Sequence, residues 1–299
     1  MSEWLISLEG TDAGKTLALF LAIQAAFLHA LFGALQKGKT DPWTSRTVID
    51  AGYCILAAPF AFFVVAWPEP DIWWMFAVAW VIHVGYKVAQ ASAYTFGSYT
   101  VVYPVVRGTG PVFTVVGAGF LFGEHFTGTQ WFGVALLVSG ILGLALYNLR
   151  HITIDRASLP LALGLAMITG GFVALYTTWD AFVIRATADP FTFIAWCFFI
   201  DGLTFPAVYL LRNKGKLPQP IGPLSRLGLF GAVVAFFSFG GIMLATRLDK
   251  VGEAAVLRET SVVFAALIGW VMLGEKVGPR RLGLIVLIAL GAVIVEWGG

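Results

Sequence analysis

Ten apolar runs follow one another along this chain, at 16–36, 44–67, 72–94, 98–123, 127–148, 159–184, 190–211, 224–246, 251–273 and 280–297. Each is near the length at which an α-helix, rising about 1.5 Å per residue, crosses a hydrocarbon core of about 30 Å. The breaks between runs fall at turn residues, such as Lys37-Gly38-Lys39-Thr40-Asp41-Pro42, Pro68-Glu69-Pro70-Asp71 and Lys216-Leu217-Pro218-Gln219-Pro220. Backbone in lipid must satisfy its own hydrogen bonds, and the period-2 alternation of barrel strands is absent. The pattern predicts an all-α membrane protein of ten transmembrane helices.

The pattern also repeats. Arg107-Gly108-Thr109-Gly110-Pro111-Val112-Phe113 leads to Phe122-Gly123-Glu124, and Arg258-Glu259-Thr260-Ser261-Val262-Val263-Phe264 leads to Leu273-Gly274-Glu275. The same offset carries Gly140 onto Gly291, and Asp41-Pro42 and Asp189-Pro190 each stand before the second helix of a half. The chain divides into 1–150, with helices one to five, and 151–299, with helices six to ten. Five crossings per copy turn the second upside down, giving the inverted 5+5 architecture that places a site between the halves.

Composition sharpens this picture. Of 299 residues, 59% are hydrophobic and 12% charged, whereas a soluble domain carries about 25% charged residues. A soluble domain and a disordered chain are both excluded. The net charge of +2 comes with no basic run, so no nucleic-acid partner is expected. Cys54 and Cys197 lie inside apolar runs, and the four histidines have no zinc spacing, so neither a disulfide framework, a metal nor a cofactor is expected. Gly10-Thr11-Asp12-Ala13-Gly14-Lys15-Thr16 imitates a P-loop with one residue too few between its glycines and no strand before it. Glu3, Glu9 and Asp12 precede the first run, where a cleaved leader would be basic. The loops on one side, counting Arg46 among them, hold most of the basic residues; that side is read as cytoplasmic, with both termini outside.

The few polar residues at bilayer depth carry the candidate chemistry, because ionisable groups there are costly and face the bundle interior. Trp80, His83, Lys87 and Gln90 share an arc of about 80° on the third helix. Thr100, Tyr103, Arg107, Gly110 and Thr114 make a second stripe on the fourth. The stripes read either as walls of a water-filled cavity or as a hydrogen-bond network locking the bundle; the unbalanced charge favours the cavity. Arg107 and Arg258 occupy one position in the two copies, and a guanidinium fork suits carboxylate or phosphate. Arg258 has the alternative of pairing with Asp201 or Glu259, while Arg107, with no acidic neighbour in sequence, is favoured more strongly as a substrate contact. Lys87 adds a third cation. His83, Asp201 and Glu259 are the titratable candidates for coupling to protons; His83 and His29 have the alternative of satisfied core histidines. Asp50 is placed to pair with Arg46 one turn earlier. Trp179 and Asp180 read as a rim or interface belt, and Glu124 and Glu275 as solvated helix ends.

A small residue or proline in mid-helix, an apolar run, Gly-Glu and then a glycine-punctuated last helix resembles the EamA repeat of the drug/metabolite transporter superfamily. The motif reads Gly110-Pro111, Leu121-Phe122-Gly123-Glu124, Gly133 and Gly140 in the first copy. In the second it reads Thr260-Ser261, Met272-Leu273-Gly274-Glu275, Gly283 and Gly291, with Val262 where the first has Pro111. The resemblance covers essentially the whole chain. It implies a ten-helix carrier that moves small metabolites, often outward, without ATP. The combined expectation is a secondary transporter of a small polar or anionic metabolite, such as an amino acid, organic acid or phosphorus-containing metabolite. It would work by alternating access in the plasma or bacterial inner membrane, as monomer or homodimer, with Trp80, His83, Lys87, Gln90, Tyr103, Arg107 and Arg258 as the substrate contacts. The alternatives are a membrane-embedded enzyme on a lipid-linked substrate, for which paired acids with a metal or nucleotide motif are lacking, or a non-transporting membrane partner.

Overall fold

Asp-Pro starts the second helix of each half for a local reason. The Asp41 carboxylate accepts the Thr44 amide at 2.7 Å, the Asp189 carboxylate accepts the Phe191 amide at 2.9 Å, and the prolines sit where no helical N–H is needed. The computed structural model describes residues 2–36, 40–97, 99–151, 158–273 and 278–299. Lys37, Lys39, Arg156, Gly274, Glu275 and Lys276 lie outside them, as does the side chain of Thr100.

The described residues form α1 (Ser2–Ser7), α2 (Asp12–Gln36), α3 (Pro42–Phe63), α4 (Trp73–Phe96), α5 (Tyr99–Phe122) and α6 (Gly128–His151) in the first half. The second half holds α7 (Leu159–Ala186), α8 (Pro190–Arg212), α9 (Ile221–Leu248), α10 (Val251–Arg258), α11 (Ser261–Leu273) and α12 (Pro279–Trp297). Eight helices, α2 to α9, are long and apolar enough to cross a membrane.

The ninth apolar run is not one helix. It divides at Glu259–Thr260, where the Glu259 and Thr260 amides bond back to Val256 and Leu257 at 3.0 Å in the tighter i→i−3 pattern. The Thr260 hydroxyl also takes the Leu257 carbonyl at 2.7 Å, removing an acceptor from the helical ladder. Its counterpart α5 stays continuous through Pro104 and Pro111. The half with the prolines is whole and the half without them is broken, so hydrogen bonding at the Glu-Thr step, not proline, sets the break.

The packing pairs match under exchange of halves. Helix α2 packs on α9 as α7 packs on α4, α5 on α7 as α10 and α11 on α2, while α3 meets α8 and α6 meets α12. The glycines of the last helices permit that final contact: a Cβ on Gly133 would lie 2.8 Å from the Gly291 carbonyl oxygen. Gly283, by contrast, faces open space.

One face, carrying both termini, is tied across the halves. Gly123 ends α5 with φ 65°, and the Glu124 carboxylate accepts the Val251 and Gly252 amides at 2.7 and 2.9 Å. Glu124 is therefore half-buried and caps α10 of the other repeat, rather than being a solvated helix end. Gln130 donates to Glu253 at 2.7 Å and Thr127 to the Gly298 carbonyl at 2.6 Å. Lys250 also donates to Glu253, and that bond holds its ammonium above the ordinary lysine range. Arg247 donates to Glu9, Thr187 and Ile184.

Candidate functional site

Two buried polar clusters meet at the centre of the bundle, on the contacts between the halves. The first gathers side chains from α3, α4, α7 and α8. Lys87 is 1% exposed. Its ammonium lies 2.6 Å from Asp50 Oδ2, 2.8 Å from Asp201 Oδ1 and 2.7 Å from the Tyr53 hydroxyl. Arg46 Nε is 2.7 Å from Asp50 Oδ1, the one-turn pair the sequence predicts. Arg46 is consequently a buried residue rather than a loop charge that reports sidedness. The Tyr53 hydroxyl donates to Asp50 at 2.6 Å. His83 stands between two acids, with Nε2 2.9 Å from Asp180 and Nδ1 3.5 Å from Asp201. A ring that donates through both nitrogens must carry both protons. Three carboxylates thus face the cationic side chains of Lys87 and Arg46, and a protonated His83 would make the charges equal.

The second cluster joins α4, α5, α7, α10 and α11. Arg107 Nη1 donates to Glu259 Oε1 at 2.9 Å, so the acid beside Arg258 in sequence serves the arginine of the other half. Arg258 Nη2 donates to the Tyr176 hydroxyl at 2.6 Å. Among the described residues, no carboxylate contacts Arg258, and its Nη1 has no hydrogen-bond partner although the residue is 3% exposed. His29 Nδ1, Glu259 Oε2 and Asp180 Oδ1 are likewise buried and unpartnered. The walls are aromatic: Arg107 lies 5.3 Å from the Tyr103 ring, and Arg258 lies 5.7 and 5.8 Å from Tyr176 and Phe239. Tyr176 connects the clusters, since its ring also packs on His83 and Tyr86 at 5.3 and 5.0 Å.

The polar stripe of α4 does face inward, but its ends differ. Trp80 donates to Thr204 at 2.7 Å and is 39% exposed, which puts it at the edge. Gln90 donates to Tyr86 at 2.6 Å. Tyr103 approaches Ser261 at 3.4 Å across the halves. The spaces among these side chains are small, about 30 Å³ beside Lys87 and His83 and about 10 Å³ beside Arg107 and Arg258. They have room for a water or two and are too small for a metabolite in this conformation.

Tyr53, Tyr176 and Asp180 join the site without having been singled out for it in the sequence. Asp180 reads there as a rim, yet it is 3% exposed and bonds His83. A signal for Tyr176 was present: the offset between Asp41 and Asp189 carries position 29 to 177, so Tyr176 stands within one residue of the counterpart of His29. His83, Asp180 and Cys197 offer ligand atoms within 4.8 Å of one another, a set able to approach a metal ion, but the direct bond from His83 to Asp180 already joins two of the three.

A solved crystal structure is similar over 95% of this chain and 96% of its own, with 19% identity and a TM-score of 0.70. At that identity the likeness shows the fold. No curated protein matches the chain. The family model for EamA-like transporters matches residues 160–297, from the start of α7 to the end of α12. With its bundle of apolar membrane-length helices the chain is a multi-pass membrane protein, and its second half, from α7 to α12, matches the EamA-like transporter family.

Proposed function

We propose that the chain is a secondary transporter built from two EamA repeats, 1–150 and 151–299, that crosses the plasma or bacterial inner membrane ten times and exports a small polar or anionic metabolite by alternating access. The observation that carries this reading is Arg258. It is a buried, permanently charged guanidinium at the end of a broken helix between the halves, with one nitrogen unpartnered among the described residues. An uncompensated charge at that depth is costly unless an anionic ligand visits it.

Arg107 spends its charge on Glu259, so Arg258 is the better anchor for a carboxylate or phosphate. The free oxygens Glu259 Oε2 and Asp180 Oδ1 suit an ammonium group, which favours a zwitterion such as an amino acid within the broader class. The ties of Glu124, Gln130 and Arg247 close the face bearing the termini, and the small central spaces fit an occluded state. His83, held between Asp180 and Asp201, is the group we assign to a coupling proton.

The test is counterflow of amino acids, organic acids and phosphorylated metabolites in proteoliposomes, with substrates first screened by thermal stabilisation of the purified protein. Arg258→Gln should raise KM for the substrate about 10- to 100-fold, the worth of a charged hydrogen bond of about 1.5–3 kcal/mol. Wild-type KM in that variant would remove Arg258 from the site. No saturable transport of any class by the wild-type protein would overturn the function.

A further inference from the structure

On the face opposite the termini, α3, α8 and α9 leave an apolar groove of about 340 Å³, lined by Ile55, Leu56, Leu210, Leu217 and Leu229, with Ser225 at its edge. Its counterpart on the other face is full. There the rings of Phe62, Trp67, Trp73, Trp196 and Phe199 pack at 4.7–5.9 Å from one another. The two places correspond: each lies beside a Pro-x-Pro loop, Pro68-Glu69-Pro70 in one half and Pro218-Gln219-Pro220 in the other. Three rings from the first half and two from the second fill one place, and the other is left open.

Charge says what fills it. Arg212, Lys214, Lys216 and Arg226 are all exposed and lie among the groove residues of the α8–α9 segment, while no Asp or Glu occurs between 202 and 248. The loop of the aromatic counterpart, between Trp67 and Trp73, carries Glu69 and Asp71 instead. An apolar slot beside an unbalanced stretch of lysine and arginine matches a phospholipid with an acidic headgroup, and basic pockets between helices bind such headgroups.

We propose that this groove is a binding site for one anionic phospholipid, an acyl chain lying between α3, α8 and α9 and the phosphate held by the basic α8–α9 loop. The site is separate from the polar clusters and does not depend on what the chain transports.

Native mass spectrometry of the detergent-purified full chain, titrated with dioleoylphosphatidylglycerol or dioleoylphosphatidylcholine, tests it. Phosphatidylglycerol should bind at one site, at least about fivefold tighter than phosphatidylcholine. In the variant Lys214→Gln/Lys216→Gln, on an exposed loop, phosphatidylglycerol should bind about 25-fold more weakly, near fivefold for each charge lost. Ser225→Trp, which fills the groove from its exposed edge, should abolish the tight site while leaving the melting temperature of lipid-free protein unchanged. Equal binding of the two lipids overturns the proposal, as does unchanged phosphatidylglycerol binding in Ser225→Trp.

Discussion

Lys87→Met should destabilise the protein far more than an ordinary core substitution, and a second mutation should rescue it. The ammonium of Lys87 is in contact with two carboxylates, Asp50 at 2.6 Å and Asp201 at 2.8 Å. Methionine matches its length and apolar stem, so packing changes little and the loss is chiefly of charge. Asp50 keeps Arg46 at 2.7 Å. Asp201 keeps the Tyr53 hydroxyl at 3.1 Å and the more distant His83, and so becomes a buried carboxylate with weak compensation. Removing one partner of a buried pair costs about 3–5 kcal/mol. At about 2–4 °C per kcal/mol, the melting temperature in detergent should fall by about 6–20 °C. Asp201→Asn removes the stranded charge, and Lys87→Met/Asp201→Asn should recover about 2 kcal/mol relative to the sum of the single variants. The assay is a thermal ramp with size-exclusion detection on all four proteins. A Lys87→Met variant that melts within about 2 °C of the wild type, or strict additivity in the cycle, would show that Lys87 does not neutralise this acid pair.

Glu124→Ala removes the acceptor of two backbone amides at α10, and amide hydrogen exchange at Val251 and Gly252 should accelerate at least about tenfold; unchanged exchange would mean that the carboxylate does not hold this face. Substituting His83 by Gln keeps a hydrogen-bonding side chain but removes the titrating ring, and should flatten the pH dependence of transport. A profile identical to the wild type would take the coupling proton elsewhere. Gly291→Leu puts a Cβ 2.6 Å from the Gly133 carbonyl oxygen and should destabilise by about 1–3 kcal/mol or more, whereas Gly283→Leu, in open space, should be neutral in the same melting assay.

The helices, their halves and the inward-facing stripe of α4 were legible because period and length are local properties of sequence. So was the pair of Arg46 with Asp50, one turn apart on one helix. The partners of Lys87 and Arg107 were not, because they come from other helices, 34 to 114 positions away for Lys87 and 152 for Arg107. Reading Glu259 beside Arg258 suggested a neighbourly pair, but adjacent helical residues point in different directions, and the Glu-Thr break turns the acid to the other repeat. Glu124 misled for a related reason. A Gly-Glu helix end looks solvated until another chain segment brings two bare amides to it. Pro111 stands in mid-helix, yet α5 runs through it, since a transmembrane helix can absorb proline when its neighbours supply the packing.

The pair between Arg107 and Glu259 also sets a clock for biogenesis. Arg107 enters the bilayer with the first half, but its counter-charge is made 152 residues later. At about 5–20 residues per second, that is a wait of roughly 8–30 s. During that interval the nascent fourth crossing carries an unneutralised guanidinium, which works against its release into lipid by about 2.5–3.5 kcal/mol. The first half should then depend on the insertion machinery until the second emerges. A truncated chain ending after α6 should be held there or degraded, and Arg107→Leu in that truncation should lengthen its lifetime in a pulse-chase experiment.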